Sequence, residues 1–323
     1  MSRLVLGVDY GGTSTKLLLA EQGTRSPVHL DRSSVPTPRG EDPLDGLVAA
    51  VEGFLDGREV VSAAVTVAGI VDESGVVVTS ANLPWIEGTA IGDVLAARLG
   101  VPVAPVHDGR AAALAEALLG AGRGHDDLYV VTLGTGIAGA HVVGGQIRRG
   151  AHGAAGEVGH VSQDDAGELC TCGQRGCLET LVGGAHLARR WRRALEDGGR
   201  PDATVTARDL VAAARAGDPL ATGLLGVSTT ALARGLLAVV ATVDPGCLVI
   251  GGGLGQAHDM VVDPVRRELH ARATFHQVPP VVPAALGPWA GAWGAVLGAP
   301  DAPVGAAQTV LSSVAPLVPI DGT

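Results

Sequence analysis

Aromatic side chains are scarce. Phe, Trp and Tyr make up 2% of the 323 residues, against 46% for hydrophobic residues as a whole, so a core must be packed from Ala, Val and Leu. Positive charge is also short: 23 Lys and Arg face 33 Asp and Glu, a formal net charge of -10. Nucleic-acid binding needs clustered cations, and this balance argues against it. A small phosphorylated ligand is not excluded, because backbone dipoles and a metal ion hold such groups locally. No apolar run free of Gly, Pro and charge reaches the roughly 20 residues that span a bilayer, so no membrane partner is expected. The N-terminal Met-Ser-Arg leads straight into a strand-like run without the pattern of a signal peptide. A soluble cytoplasmic protein is expected. Cysteine is limited to four positions, and nothing suggests an oxidising compartment.

The chain is long enough for two domains of ordinary size. Residues 4–8 form a short apolar run with the look of a buried strand. It ends in Asp9, then Tyr10-Gly11-Gly12-Thr13, and a second strand-like run follows over 16–20. The glycines therefore join strand to strand, unlike a dinucleotide-binding fingerprint, whose third glycine opens a helix. The unit recurs: 128–133 reads as a strand, Gly134-Thr135-Gly136 as its turn, and 137–143 as the return. Two such units predict two related α/β domains. Glycines at these turns let backbone N–H groups approach phosphate oxygens closely.

Between the turns, Pro43 opens a helix with Leu44, Leu47, Val48, Val51 and Leu55 on one face. A strand over 60–67, a helix over 91–99, a strand over 101–106 and a helix over 111–119 follow. Asp108, in His107-Asp108-Gly109-Arg110, sits where strand gives way to helix, a helix N-cap position. A Gly-rich hinge candidate covers 120–125. Further on, helices are expected over 185–195 and within 206–241, and a strand over 247–250 runs into Gly251-Gly252-Gly253. Cys247 lies in that apolar run as a core residue. A last helix is expected over 289–297, and the Pro-, Ala- and Val-rich tail from 300 is unassigned.

Cys170, Cys172 and Cys177 fall within eight residues, ten positions after His160. Three thiolates and an imidazole make a complete tetrahedral zinc shell with no open position for water, hence a structural metal. The alternatives are a disulfide or three buried thiols. Glu157 and Glu179 bracket the cluster.

This stretch resembles the signature of the ROK family (repressors, open reading frames, sugar kinases): Glu-x-Gly-His, then Cys-x-Cys-Gly-x-x-Gly-Cys-x-Glu, matched at every fixed position over 157–179. The resemblance spans roughly residues 4–298. It implies the two-domain actin/hexokinase-like (ribonuclease H-like) α/β fold, with a cleft between domains and a zinc knot. The expected division is 1–121, with helix 289–298 packing back on it, and 122–288 carrying the knot. It also implies an ATP-dependent, glucokinase-like kinase acting on a primary hydroxyl of a hexose or hexose-like ring, as a homodimer or homotetramer.

In that reading Asp108 is the catalytic base. Asp9 acts through Mg2+, and Mg-ATP is held by Gly11, Gly12, Thr13, Gly134, Thr135, Gly136, Gly251 and Gly252. Lys16 either assists the phosphates or is a solvated strand residue. Glu157, His160, Glu179, His107 and Asn82 hold the acceptor, His160 serving the zinc ion as well. Asn82 has a second open reading, as a turn residue bonding its own backbone. The family's Asn-Asp-x-Asn is here His107-Asp108-Gly109-Arg110, which puts glucose itself in question and raises an N-acetylated hexosamine or a cyclitol as acceptor. Ala138 and Ala140 stand where the family's second loop has glycines. A helix-turn-helix repressor is not expected, since the first loop begins within the first ten residues. A non-catalytic sugar sensor is opposed by Asp9 and Asp108.

Overall fold

The computed structural model describes residues 3–22, 27–39, 42–72, 74–80 and 83–300. The chain divides into two compact units. The first takes Met1–Leu119, Val142–Ala155 and the chain from Trp289, and the second takes Gly120–His141 and Gly156–Pro288.

The first unit opens with β1 (Leu4–Tyr10), β2 (Ser14–Glu21) and β3 (Val28–Pro36), an antiparallel meander. Helix α1 (Pro43–Leu55) follows, then β4 (Ser62–Val67), parallel to β1. A small hairpin of β5 (Ile70–Val71) and β6 (Val77–Thr79) leads to α2 (Ile91–Leu99), β7 (Val103–His107) and α3 (Asp108–Leu118). The sheet order is β3-β2-β1-β4-β7. Val5 to Val8 and all of β4 are buried, which is why these strands read as unbroken apolar runs rather than alternating ones. Helix α1 starts where Asp42 accepts the N–H of Asp45 at 3.0 Å and Pro43 takes the first turn. Register sets Tyr10 beside Val67 and Val67 beside His107, so the three parallel strands end level.

The second unit repeats the plan. It runs β8 (Asp127–Leu133), β9 (Ile137–Val143) and β10 (Gln146–Ile147), then α4 (Leu178–Val182), α5 (Gly184–Asp197), α6 (Ala207–Arg215) and α7 (Pro219–Val243). It closes with β11 (Leu248–Gly251), α8 (Gly252–Gly255), α9 (Asp263–Arg272) and β12 (Val281–Pro283). The order is β10-β9-β8-β11-β12, with β11 parallel to β8 and to β12. By length and composition α7 could cross a membrane, but 56% of its most apolar window is buried, and Leu225, Leu232 and Leu236 pack into the core with Trp191 and Ile250. Asp218 caps it by accepting the N–H groups of Leu220 and Ala221, each at 3.0 Å. Cys247 is buried, as expected of a core residue.

The last helix, α10 (Ala290–Gly298), packs on β1 and α3 within the first unit. Glycine makes the approach possible: a Cβ on Gly294 would be driven into the carbonyl of Ala111, and one on Gly7 into that of Ala292. Gly294 has no left-handed φ, so only space forbids a side chain. Gly294→Ala should therefore lower stability by about 1–3 kcal/mol in urea unfolding, although alanine for glycine inside a free helix would raise it by about 0.5–1 kcal/mol. A stabilised variant would refute the close packing.

Candidate active site

In the first unit, chemistry-bearing residues follow the level strand ends, the usual place for ligands in such sheets. Asp9 faces Lys16 directly across the β1–β2 pair. Lys16, the chain's single lysine, brings its Nζ to 2.9 Å from Asp9 Oδ2. Thr66 Oγ1 donates to Asp9 Oδ1 at 2.9 Å and accepts the N–H of Tyr10 at 3.2 Å. Only 16% of the Asp9 side chain and 19% of Lys16 are open, so Lys16 is an ion-paired residue rather than a solvated one. Gly291 lets α10 reach this carboxylate; a Cβ there would stand 2.7 Å from it.

His107 is the N-cap of α3: its Nδ1 accepts the N–H of Arg110 at 3.4 Å. Asp108, whose position alone fits a cap, is thus the first helical residue and is spared that task. Its Oδ1 accepts the adjacent Gly109 N–H at 2.6 Å, and 43% of the side chain stays open. Removal from bulk water raises the Asp108 pKa above the ordinary carboxylate value. A protonated His107 ring and the Gly109 N–H would pull it down, and the negative charge of Asp9 pushes it further up. The net direction is upward. Arg110 is buried and donates from Nη2 to the carbonyl of Gly153; it binds the chain to itself instead of facing outward. Asn82 lies outside the described residues. Its neighbour Trp85 donates from Nε1 to the Tyr10 hydroxyl at 3.0 Å.

In the second unit, the Gly134-Thr135-Gly136 turn has its carbonyls engaged. The N–H groups of Gly184 and Ala185, at the start of α5, bond the carbonyls of Gly134 at 3.0 Å and Thr135 at 3.1 Å. Glu179 lies against this turn: its Oε2 accepts the N–H of Ile137 at 2.8 Å, and a Cβ on Gly136 would collide with that carboxylate. Gly252, at φ +80°, follows β11 so closely beside β8 that a Cβ would lie 2.5 Å from the backbone of Leu133. The Gly251-Gly252 corner therefore lies against the end of β8, from which the second glycine turn leaves.

His160 turns its two ring nitrogens to different tasks. Nδ1 lies 3.6 Å from Cys170 Sγ, and Nε2 lies 4.0 Å from Glu157 Oε2. Cys172 Sγ and Cys177 Sγ are 3.6 Å apart, and one ligand atom from each of the four residues falls within 4.8 Å of the others. Tetrahedral zinc with bonds of about 2.3 Å would set its sulfurs roughly 3.8 Å apart, so the donor set fits the ion. All four cysteines of the chain are free, against the disulfide alternative. Burial and the neighbouring Cys172 and Cys170 sulfurs push the Cys177 thiol up to about 12. At Cys172, burial is outweighed by hydrogen bonds from the Gln174 backbone and the other two thiols, which bring it down to about 7. Sulfurs this close resist joint ionisation until a cation sits between them.

The knot's backbone is held by turns. Cys170 N–H bonds Gln174 O at 2.8 Å, and Gly176 N–H bonds Glu168 O at 2.8 Å. Gly173 and Gly176 take φ +92° and +66°.

Sequence reasoning missed Thr66, whose one signal was a hydroxyl in the apolar run Ala63-Ala64-Val65-Thr66-Val67. It also missed the bond between Glu179 and Ile137.

A family model described as "ROK family" matches residues 5–302. The chain belongs to the ROK family. Among ROK relatives, it is 33% identical over 311 residues to a glucokinase of Streptomyces coelicolor, covering 90% of this chain and 96% of the relative. It is 33% identical over 258 residues to an N-acetylmannosamine kinase of Escherichia coli, covering 78% and 84%. Among solved structures, a ROK family glucokinase from Streptomyces griseus in complex with glucose and AMPPNP matches with a TM-score of 0.78 and 31% identity, over 90% of this chain and 97% of that one. The mixed α/β architecture with two five-stranded sheets is thus that of the ROK glucokinases.

Proposed function

We infer that this ROK protein is an ATP-dependent carbohydrate kinase that transfers the γ-phosphoryl group to a hydroxyl of a hexose or hexose-like ring. The observation that carries the reading is Asp108: a partly open carboxylate with a raised pKa, released from helix capping by His107, in the same unit as Asp9 and the first glycine turn. Kinase relatives of both the glucokinase and N-acetylmannosamine kinase types support it. ATP supplies the phosphoryl group and Mg2+ screens its charge when bound. Asp9 is the carboxylate suited to the metal's water shell, and the two glycine turns with Gly251 and Gly252 are suited to the nucleotide. Asp108 takes the proton from the acceptor hydroxyl as it attacks. Glu157, His160 and Glu179 offer acceptors and a ring nitrogen to the other hydroxyls, and Asn82 is assigned to the same task. The position of the acceptor hydroxyl, the zinc ion, a cytoplasmic location and a homodimer or homotetramer belong to this proposal too, and rest on the family resemblance.

Acceptor choice turns on His107. With Nδ1 taken by the Arg110 N–H, the neutral ring keeps its proton on Nε2 and offers a ligand one donor and no acceptor. Asparagine, the family's usual residue there, offers both. Arg110 is engaged inside the fold, so the specificity first ascribed to both replacements falls to His107 alone. A coupled ADP-release assay over glucose, N-acetylmannosamine, other hexoses and a cyclitol tests the reading. Turnover is expected with at least one, and His107→Asn should shift the preference toward glucose. No turnover with any of them would defeat the kinase assignment, and an unchanged profile in the variant would remove only the role of His107.

A further inference from the structure

The carbonyl groups of the first glycine turn are all held from one side, by a segment that sequence reasoning passed over. Thr37 Oγ1 donates to the carbonyl of Gly11, Arg39 Nη2 donates to that of Gly12 at 2.7 Å, and Thr37 N–H donates to that of Thr13 at 3.0 Å. Across a trans peptide the carbonyl and the following N–H point in opposite directions. Fixing these three oxygens toward Thr37 and Arg39 therefore turns the N–H groups of Gly12, Thr13 and Ser14 the other way. Among the described residues the N–H groups of Gly12 and Thr13 have no protein partner. Such a row of amides is an anion-binding nest.

The second glycine turn is held by the same logic with backbone alone, through Gly184 and Ala185. In the first turn two of the three bonds, those to Gly11 and Gly12, come from side chains, which substitution can remove. The exposed Arg39 guanidinium also lies 5.7 Å from the Trp85 ring centroid, so its fork is steadied by stacking while it bonds Gly12.

We propose that Thr37 and Arg39 are positioning residues that set the amides of the Gly11-Gly12-Thr13 turn for the phosphates of ATP. The proposal rests on the kinase reading. The decisive variant is Arg39→Met, which keeps an unbranched stem over Trp85 and removes every donor. Losing one hydrogen bond of about 0.5–1.5 kcal/mol corresponds to roughly a 2- to 12-fold weakening. The KM for ATP should rise by about that factor, kcat should fall by less, and the KM for the sugar should hold. Arg39→Lys, which restores a donor, should recover part of the loss. Thr37→Val should act in the same direction through Gly11.

Binding of adenosine, which has no phosphate, separates positioning from general damage. Its affinity should be the same in wild type and Arg39→Met, while that of ATP falls. Equal loss for adenosine and ATP, or an unchanged KM for ATP, would overturn the proposal while leaving the kinase assignment in place. A wild-type protein without ATP-dependent turnover would overturn both.

Discussion

Asp108→Asn is expected to lower kcat by roughly 10²-fold to 10⁴-fold, the range for loss of a general base. The KM for the acceptor should change little, because Glu157, His160 and Glu179 belong to other segments. The substitution is nearly isosteric, and its amide oxygen can still accept the Gly109 N–H that Asp108 bonds at 2.6 Å. The helix start is not at risk, since His107 and not residue 108 caps α3.

The sign of the pKa shift supplies a control. A carboxyl whose folded-state pKa is raised contributes stability that is fully present below its unfolded pKa and is lost as pH rises through the folded value. At neutral pH the ionised Asp108 is a stability cost, and the amide variant should unfold no more easily than wild type. The same shift predicts the pH profile. The base works ionised, so kcat/KM of the wild type should fall as pH drops through the raised value, at a pH above that of an ordinary aspartate. Near-normal turnover in Asp108→Asn, or an acidic limb at the position of an unperturbed carboxylate, would refute this role.

Local features were legible in the sequence because their partners are near in the chain. The two strand–glycine–strand turns show as a change of hydrophobic pattern around Gly11-Gly12 and Gly134-Thr135-Gly136. The knot shows because His160, Cys170, Cys172 and Cys177 are close neighbours. What escaped depends on distant pairing. Thr66 reaches Asp9 over 57 positions, Glu179 reaches Ile137 over 42, and Arg39 reaches Gly12 over 27. No spacing rule connects such residues before the sheet register is known.

The cap of α3 was misleading for another reason. Aspartate is a preferred cap and histidine is not, yet the strand runs one residue further than its apolar stretch and places His107 at the cap. The domain outline shows the same limit. Contiguous boundaries at 121 and 288 leave no room for residues 142–155 to fall with the first unit, as they do.

Removing the metal from the knot should have the second large effect. Purified without added metal, the protein should carry one zinc per chain, held by His160, Cys170, Cys172 and Cys177. Beyond its turn hydrogen bonds the segment has few apolar anchors: Val161 and Leu169 are exposed, while Val158, Cys170, Cys177 and Leu178 are its buried apolar side chains. Fixing a backbone residue costs about 1–2 kcal/mol, and zinc binding in small metal domains supplies an apparent 10–16 kcal/mol or so.

Cys177→Ser, at a fully buried position, should therefore lose the zinc and loosen the knot, visible as faster proteolysis around it. Glu157, His160 and Glu179 lie in or beside that segment, so the acceptor should suffer first. A displacement of about 1 Å can cost roughly 10²-fold in rate, and a loss of that order is expected in kcat/KM for the sugar. The KM for ATP should rise by much less through the first turn, whose supports, Thr37 and Arg39, are remote in sequence from the knot. Strong chelation of the wild type should reproduce the pattern, and added zinc should reverse it. A zinc content near zero with full activity, or a Cys177→Ser protein with unchanged acceptor affinity, would remove the metal from this site.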